Sequence, residues 1–216
     1  MKVISVNVGV ARPNPAKKLG LTGIDKLPVS HAVQVRAPGP KHTGLHSGVV
    51  GDPIGDTRNH GGDDQAVYAY AREDYDWWEK ELGRELPDGM FGENLTTTGL
   101  DVNGALIGEV WRIGGTLELQ TTFGRIPCAT FQVKMGEKQW LKRFSLANRT
   151  GAYLRVVTPG EVRAGDPVAL VRRPERSVSI AEAFRIYMHE PASLARLLDA
   201  EGLPAEMVTE IRRRIS

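Results

Sequence analysis

The sequence predicts a mainly β fold, a closed or nearly closed barrel with a few short helices, followed by a small three-helix bundle. Residues 1–171 contain many short apolar or alternating runs between glycines and prolines, a pattern typical of barrels. Residues 172–178 are charged and contain proline, as linkers often do. The following residues change to helical periodicity, so we predict a barrel domain at 1–171 and a three-helix domain at 177–216.

The individual elements are predicted from periodicity and from the residues that begin or end them. Alternating valines mark residues 1–10 as the first strand. A helix is predicted over 73–83, where apolar residues recur every three or four positions before a final glycine, and a short amphipathic one over 137–146. In the tail, Ser179 and Glu182 have the spacing of a helix capping box, and prolines open the two helices that follow.

Composition and charge exclude several classes of partner. The 216 residues carry a formal net charge of +2, which gives no field that would attract a nucleic-acid polymer or a membrane surface. No apolar stretch is long enough to cross a bilayer, and the first residues do not resemble a signal peptide. A single cysteine cannot form an internal disulfide, so we expect a cytoplasmic protein.

That cysteine, Cys128, is the first candidate for chemistry. A thiolate is a strong nucleophile and a ligand for soft metals, whereas a thiol is neither. If Arg125 faces the same pocket, its guanidinium would lower the pKa of the thiol. The alternative is that Cys128 is a small buried apolar residue, which is the usual state of a free cysteine.

A second candidate is the polar stretch GDTRNHGGDDQAV at 55–67. Its two adjacent glycines would allow backbone N–H groups to point into a concavity and bind an anion, with charged neighbours to help. The candidate binding residues are Arg58, His60, Gly61, Gly62 and Asp63. The alternative is a tight connection between strands that only carries polar side chains.

Two more polar clusters complete the set. Glu93 and Asn94 lie inside FGENL, between apolar residues that would anchor the loop. Arg149 and Arg155 bracket a glycine and a predicted strand, and two arginines beside one pocket suit a phosphate group. For the arginines, surface ion pairs are the alternative.

The order of these motifs resembles the MOSC domain, the family that includes the C-terminal portion of molybdenum-cofactor sulfurases. The matching segments are GD followed by NHGGDDQAV within 55–67, FGENL at 91–95, PC at 127–128, and RTGAYLRVVTPGEVRAGD at 149–166. The added three-helix tail is similar to that of the YiiM-like subgroup. The resemblance therefore covers most of the chain.

The resemblance implies a β-barrel, a molybdenum cofactor (molybdopterin) and an oxidoreductase. The family cysteine corresponds to Cys128, which would be the molybdenum ligand or a sulfur carrier. YiiM-like members are associated with reduction of N-hydroxylated compounds such as 6-hydroxylaminopurine, with electrons from a flavoprotein. This chain departs from related sequences at Asn59, where a histidine is common, and at Gln65, where a lysine is common, so positive charge is lost.

The residue types fit such a cofactor. Cys128 would supply a soft metal ligand, Glu93 and Asn94 donors and acceptors for the pterin edge, and the 58–62 loop with Arg149 and Arg155 an anion site. This is the leading hypothesis for function.

Two other hypotheses stay open. Cys128 could carry a persulfide in cofactor handling, loaded by a partner because the chain has no room for the pyridoxal-phosphate desulfurase domain of the full sulfurases. Alternatively, the chain could be a binding module whose helical tail docks a partner. A homodimer is compatible with either hypothesis.

Overall fold

A computed structural model describes residues 1–18 and 20–216. The strands are β1 Lys2–Gly9, β2 Arg12–Pro13, β3 Leu21–Thr22, β4 Lys26–Pro28, β5 Val33–Val35, β6 Val67–Ala71, β7 Leu95–Thr98, β8 Val110–Ile113, β9 Leu117–Phe123, β10 Ala152–Thr158, β11 Gly160–Val162 and β12 Val168–Arg172. The helices are α1 Arg72–Leu82, α2 Ala129–Met135, α3 Trp140–Ala147, α4 Ile180–His189 and α5 Ala205–Ile215, with 3₁₀ helices at Asp63–Gln65 and Pro191–Asp199. Strands and helices take up similar shares of the chain.

The central element is a mixed eight-stranded sheet that curls into a half-barrel, in the order β12-β8-β9-β10-β6-β7-β1-β4. Only β6 and β7 pair in parallel, with α1 as the connection between them, and the other neighbours are antiparallel. An isolated bridge between Lys2 and Pro167 brings the start of β1 to the start of β12. The predicted barrel with attached helices is confirmed in this form.

Two apolar clusters hold the molecule together. The larger one fills the half-barrel with aliphatic side chains of the strands. The smaller one is aromatic and packs α1, α2 and α3 against the outside of β6. Within it Phe131 of α2 contacts Phe91, Trp140 and Phe144, with ring centroids 5.0 to 5.7 Å apart. This packing fixes α2, and with it the preceding Cys128.

The C-terminal helices pack directly on the half-barrel. Ile180, Phe184 and Leu197 belong to the same apolar cluster as the strands, and the predicted cap is present, since Ser179 Oγ accepts a hydrogen bond from the N–H of Glu182 at 3.1 Å. The second of the three helices is a 3₁₀ helix. Since the two parts share one core, folding of the tail is coupled to the half-barrel, and the division into two domains stays a prediction.

The helix predictions differ from the structure near Cys128. The helix over 73–83 is confirmed as α1, which ends at Gly83 in the left-handed conformation. The helix predicted over 137–146 begins three residues later as α3. Helix α2 has no counterpart among the predicted elements, because its seven residues are too few to show a helical period.

Candidate functional site

Cys128 lies where two cavities meet. It is the residue before α2, half-buried and in an extended conformation, so its side chain stays outside the helix. The inner cavity, of about 90 Å³, is bounded by β4, the 52–56 segment and the start of β6. The outer cleft, of about 810 Å³, is bounded by the 56–65 loop, the end of β9 and the C-terminal helices. Both are lined by Cys128, His60 and Gly61.

The Cys128 thiol is acidic. Burial raises its pKa, but a hydrogen bond from His60, the charge of Arg125 and a hydrogen bond from the N–H of Phe131 outweigh burial and lower the pKa from 9.0 to about 6. At neutral pH the group is therefore mainly thiolate, the form that binds metals and attacks electrophiles. The alternative of an inert, buried cysteine does not fit this position.

Arg125 is a buried cation beside the thiolate. Its guanidinium donates to the carbonyl of Phe91 at 2.5 Å, and its central carbon lies 4.2 Å from the ring centroid of Phe131 and 5.3 Å from that of Tyr68. Its Nε has no hydrogen-bond partner, and none of the ion pairs among residues 1–18 and 20–216 includes it. A buried cation without a carboxylate favours a nearby anion, which here is the thiolate or a negatively charged ligand group.

Asn94 lines the inner cavity and helps to organise it. Its Nδ2 donates to Asp52 Oδ2 at 3.1 Å, and its Oδ1 accepts from the N–H of Tyr68 at 3.1 Å. Asp52 also forms a buried ion pair with Lys26, with Nζ and Oδ1 2.5 Å apart. The carboxylate thereby joins β4 to the FGENL loop and fixes the far wall of the inner cavity.

The glycine pair closes the loop tightly and does not form the predicted anion nest. The N–H of Gly61 donates to Gln65 Oε1 at 3.2 Å, and the N–H of Gly62 donates to the carbonyl of His46 at 2.8 Å. Both glycines have positive φ, and a Cβ on Gly62 would lie 2.6 Å from Cα of Lys41. The glycines therefore allow the close approach of the 41–46 segment, and their N–H groups are already occupied.

All five residues predicted to bind a ligand in this loop lie at the outer cleft. Arg58, His60, Gly61, Gly62 and Asp63 all line it. The Asp63 carboxylate also accepts from the N–H of Gly39 at 2.9 Å. Asp56 joins the loop to Lys17 at 2.5 Å and to Asn59 at 3.0 Å, and these hydrogen bonds lower its pKa to about 2.

Three predicted site residues line neither cavity. Glu93 is fully buried under the aromatic cluster, where its Oε1 accepts from Tyr75 Oη and from the N–H of Gly89, while its Oε2 has no partner. Arg149 donates to Asp74 at 2.6 Å. Arg155 pairs with Asp64 and donates to the Gln120 side chain. Both arginines therefore form ion pairs, which was the alternative interpretation.

The structure adds lining residues that the sequence did not indicate. They come from distant parts of the chain, and no local pattern marks them: Lys17, Lys26, Lys41, Tyr68, Thr130, Tyr153, Tyr187, Met207 and Glu210. Only the pairing of strands and the docking of the tail bring them to Cys128. The described residues contain no group of three or more His, Cys, Asp or Glu side chains placed to hold a metal ion.

The chain is similar in sequence to one protein family and to several individual proteins. Residues 56–169 match the MOSC domain family. Protein YflK of Bacillus subtilis (strain 168), which is uncharacterized, is 34% identical over 197 residues, 90% of this chain and 84% of that one. A protein named "Reductase" from Gibberella moniliformis is 31% identical over 162 residues, 73% of this chain but only 28% of that longer protein.

The fold is also shared with a solved structure. The crystal structure of YiiM from Geobacillus stearothermophilus superposes with a TM-score of 0.79 at 28% identity, covering 100% of this chain and 99% of that one. The agreement includes the C-terminal helices, because the whole chain is covered. Among the described residues, none of the helices is both long and apolar enough to span a membrane.

Proposed function

Because the chain belongs to the MOSC domain family, we propose that it binds molybdenum cofactor at Cys128 and reduces N-hydroxylated compounds with electrons from a partner flavoprotein. The observation that carries the proposal is the acidic thiol of Cys128 at the junction of two cavities. The name of the Gibberella relative, a reductase, supports the reaction class.

The residues present fit the chemistry of the cofactor. A pterin dithiolene with a terminal phosphate needs a soft ligand to complete the coordination of its metal, polar groups for the pterin and cations for the phosphate. Cys128 supplies the ligand, and Arg125 offers an unpartnered buried N–H. Asn94 and His60 add polar groups on the cavity walls. Since the described residues hold no metal-binding cluster of their own, the other metal ligands would come from the cofactor.

When bound, the cofactor supplies two-electron redox chemistry, and the chain supplies binding, orientation and protons. Reduction of an N–OH group to N–H consumes two electrons and two protons and releases water. His60 lines both cavities beside Cys128, so its ring lies next to the reacting group. We assign to it delivery of a proton to the departing oxygen.

The outer cleft has the dimensions of a small-molecule site. Its volume of about 810 Å³ lies within the range of about 300 to 1,000 Å³ that is typical of ligand pockets. A substrate in this cleft reaches Cys128 from the side of Ile126 and Pro127. The inner cavity on the other side of Cys128 offers the buried cation Arg125, whereas Lys26 is already paired with Asp52.

The test is metal content together with turnover. We would purify the protein from cells that make molybdenum cofactor, measure molybdenum by mass spectrometry, and assay reduction of 6-hydroxylaminopurine with a flavoprotein reductase. Stoichiometric molybdenum and turnover are expected, with both lost in Cys128→Ser. Val133→Ala, an exposed position on α2, is the matched control and should change neither. Metal-free protein with full activity would contradict the proposal.

A thiolate of this acidity also fits the second hypothesis, a persulfide carrier. Intact-mass analysis after incubation with a cysteine desulfurase distinguishes the two. Addition of one sulfur atom to the wild-type chain, absent in Cys128→Ser, together with no molybdenum, would favour the carrier.

A further inference from the structure

The C-terminal helices form one wall of the outer cleft. Tyr187 of α4, together with Met207 and Glu210 of α5, lines the cleft, which the 56–65 loop also lines. Phe123 and Ile126 continue the same wall towards Cys128. The cleft is therefore incomplete without the tail, although the tail lies far from Cys128 in sequence.

This wall is held in a fixed position. The Tyr187 ring packs edge-on against Phe123 with centroids 5.6 Å apart, and the guanidinium carbon of Arg214 lies 4.7 Å from the Tyr187 centroid. Glu206 at the start of α5 forms an ion pair with Lys41, which ties the helix to the segment behind Gly62. A wall anchored at both ends presents a preformed surface to a ligand.

The wall is mainly apolar where it faces the cleft. Ile126 is 40% exposed, and Met207 and Tyr187 are half-buried, so apolar surface is left open at the cleft. The two carboxylates on this side are already neutralised, because Glu206 pairs with Lys41, and Glu210 accepts two hydrogen bonds from Arg213 at 2.9 and 3.0 Å.

The part of the cleft lined by the 56–65 loop and Lys17 is polar. It carries Lys17, Arg58, Asn59, His60 and Asp63. A cleft that combines apolar and polar lining residues fits a flat, uncharged ring whose edge bears hydrogen-bonding groups, because the ring face covers the apolar side chains while the edge meets the polar ones.

We propose that the C-terminal helices determine substrate specificity: Tyr187 and Met207 bind the planar, uncharged aromatic part of the substrate, and the N–OH group faces Cys128. The assignment of N–OH as the reacting group rests on the proposed function, whereas the proposed binding of the ring does not. Deletion of the tail cannot test this, because Ile180 and Phe184 belong to the core of the half-barrel. Point substitutions at the surface of the cleft are required.

The first experiment compares two substrates that share a reacting group. Benzamidoxime and acetamidoxime carry the same amidoxime, but only benzamidoxime has a ring. Wild-type enzyme should prefer benzamidoxime in kcat/KM, and Tyr187→Ala or Met207→Ala should lower that preference about tenfold through KM. Turnover of acetamidoxime and molybdenum content should stay unchanged. Met188→Ala is the matched control, an exposed methionine on α4 outside the cleft.

The second experiment needs no turnover. Titration calorimetry measures binding of benzamide, an unreactive ring compound, with acetamide as the comparison. Benzamide should bind the wild-type protein and the Met188→Ala protein, and bind about tenfold more weakly to Tyr187→Ala and Met207→Ala. If this pattern holds while no N-hydroxylated compound is reduced, the proposed reaction is wrong and the binding wall stands. Equal substrate preference and equal benzamide binding in wild type and variants would overturn the inference, as would no benzamide binding to the wild type.

Discussion

Replacement of His60 by alanine should raise the pKa of the Cys128 thiol. Burial raises this pKa, and the hydrogen bond from His60 is the largest of the contributions that lower it to about 6. That value makes about 90% of the group thiolate at pH 7, against about 1% at the ordinary value of 9.0. Without His60, only Arg125 and the N–H of Phe131 act against burial.

The expected size of the change follows from these contributions. A nearby opposite charge shifts a pKa by about 1 to 3, so the midpoint should move from about pH 6 to pH 7 or above. At pH 6 the thiolate fraction then falls from about a half to about a tenth or less, so the alkylation rate should fall by about fivefold or more. Above the new midpoint the two rates should converge.

The assay is the rate of iodoacetamide alkylation against pH, measured on metal-free protein. Because Cys128 is the only cysteine of the chain, each alkylation event reports on this site. His31→Ala, an exposed histidine that lines neither cavity, is the matched control and should keep the wild-type midpoint. An unchanged midpoint in His60→Ala, or a wild-type midpoint near 9, would refute the reasoning.

Three further predictions test the surroundings of the site. Burial raises the pKa of Glu93, so the stability that this group contributes is present below its ordinary pKa of 4.5 and is lost as the pH rises through its folded-state pKa. In urea unfolding, the free energy of unfolding of Glu93→Gln should therefore rise relative to that of wild type from pH 5 to pH 8. A difference that stays constant with pH would contradict this. Arg149→Met should lower the free energy of unfolding by about 1 to 3 kcal/mol by leaving buried Asp74 without its cation, while molybdenum content stays the same; loss of metal in the folded variant would show that Arg149 contacts the cofactor. Gly62→Ala, with φ of 82° and a close backbone neighbour, should cost about 1 to 3 kcal/mol or more in unfolding experiments. Gly83→Ala, with positive φ but no described atom within 4 Å of the added Cβ, should cost only about 1 kcal/mol, and equal costs would refute the role of the close contact.

Local features of the sequence point to residues that the structure brings together at the centre of the candidate site. Cys128 and Arg125 are three residues apart, and their side chains do interact. The place of His60 before two glycines predicts a site residue, although these glycines serve the packing of the loop and not an anion nest. Short-range motifs thus predict residues whose geometry is set within a few positions of the chain.

The contacts that could not be predicted from the sequence depend on long-range packing. The sequence could not show that Asp74 of α1 takes the charge of Arg149, because the two residues come together only when the sheet forms. The same holds for Tyr187 and Met207, which reach the cleft through docking of the tail. Helix α2 is short and forms because Phe131 packs into an aromatic cluster built from four other segments, which periodicity cannot reveal.

The central claim is that the sulfur of Cys128 is bound to molybdenum at the junction of the two cavities. X-ray absorption at the molybdenum edge of the loaded protein measures this directly. We expect one thiolate sulfur in addition to those of the dithiolene, and loss of that sulfur, or of the metal itself, in Cys128→Ser. The same sulfur coordination and metal content in wild type and Cys128→Ser would contradict the account.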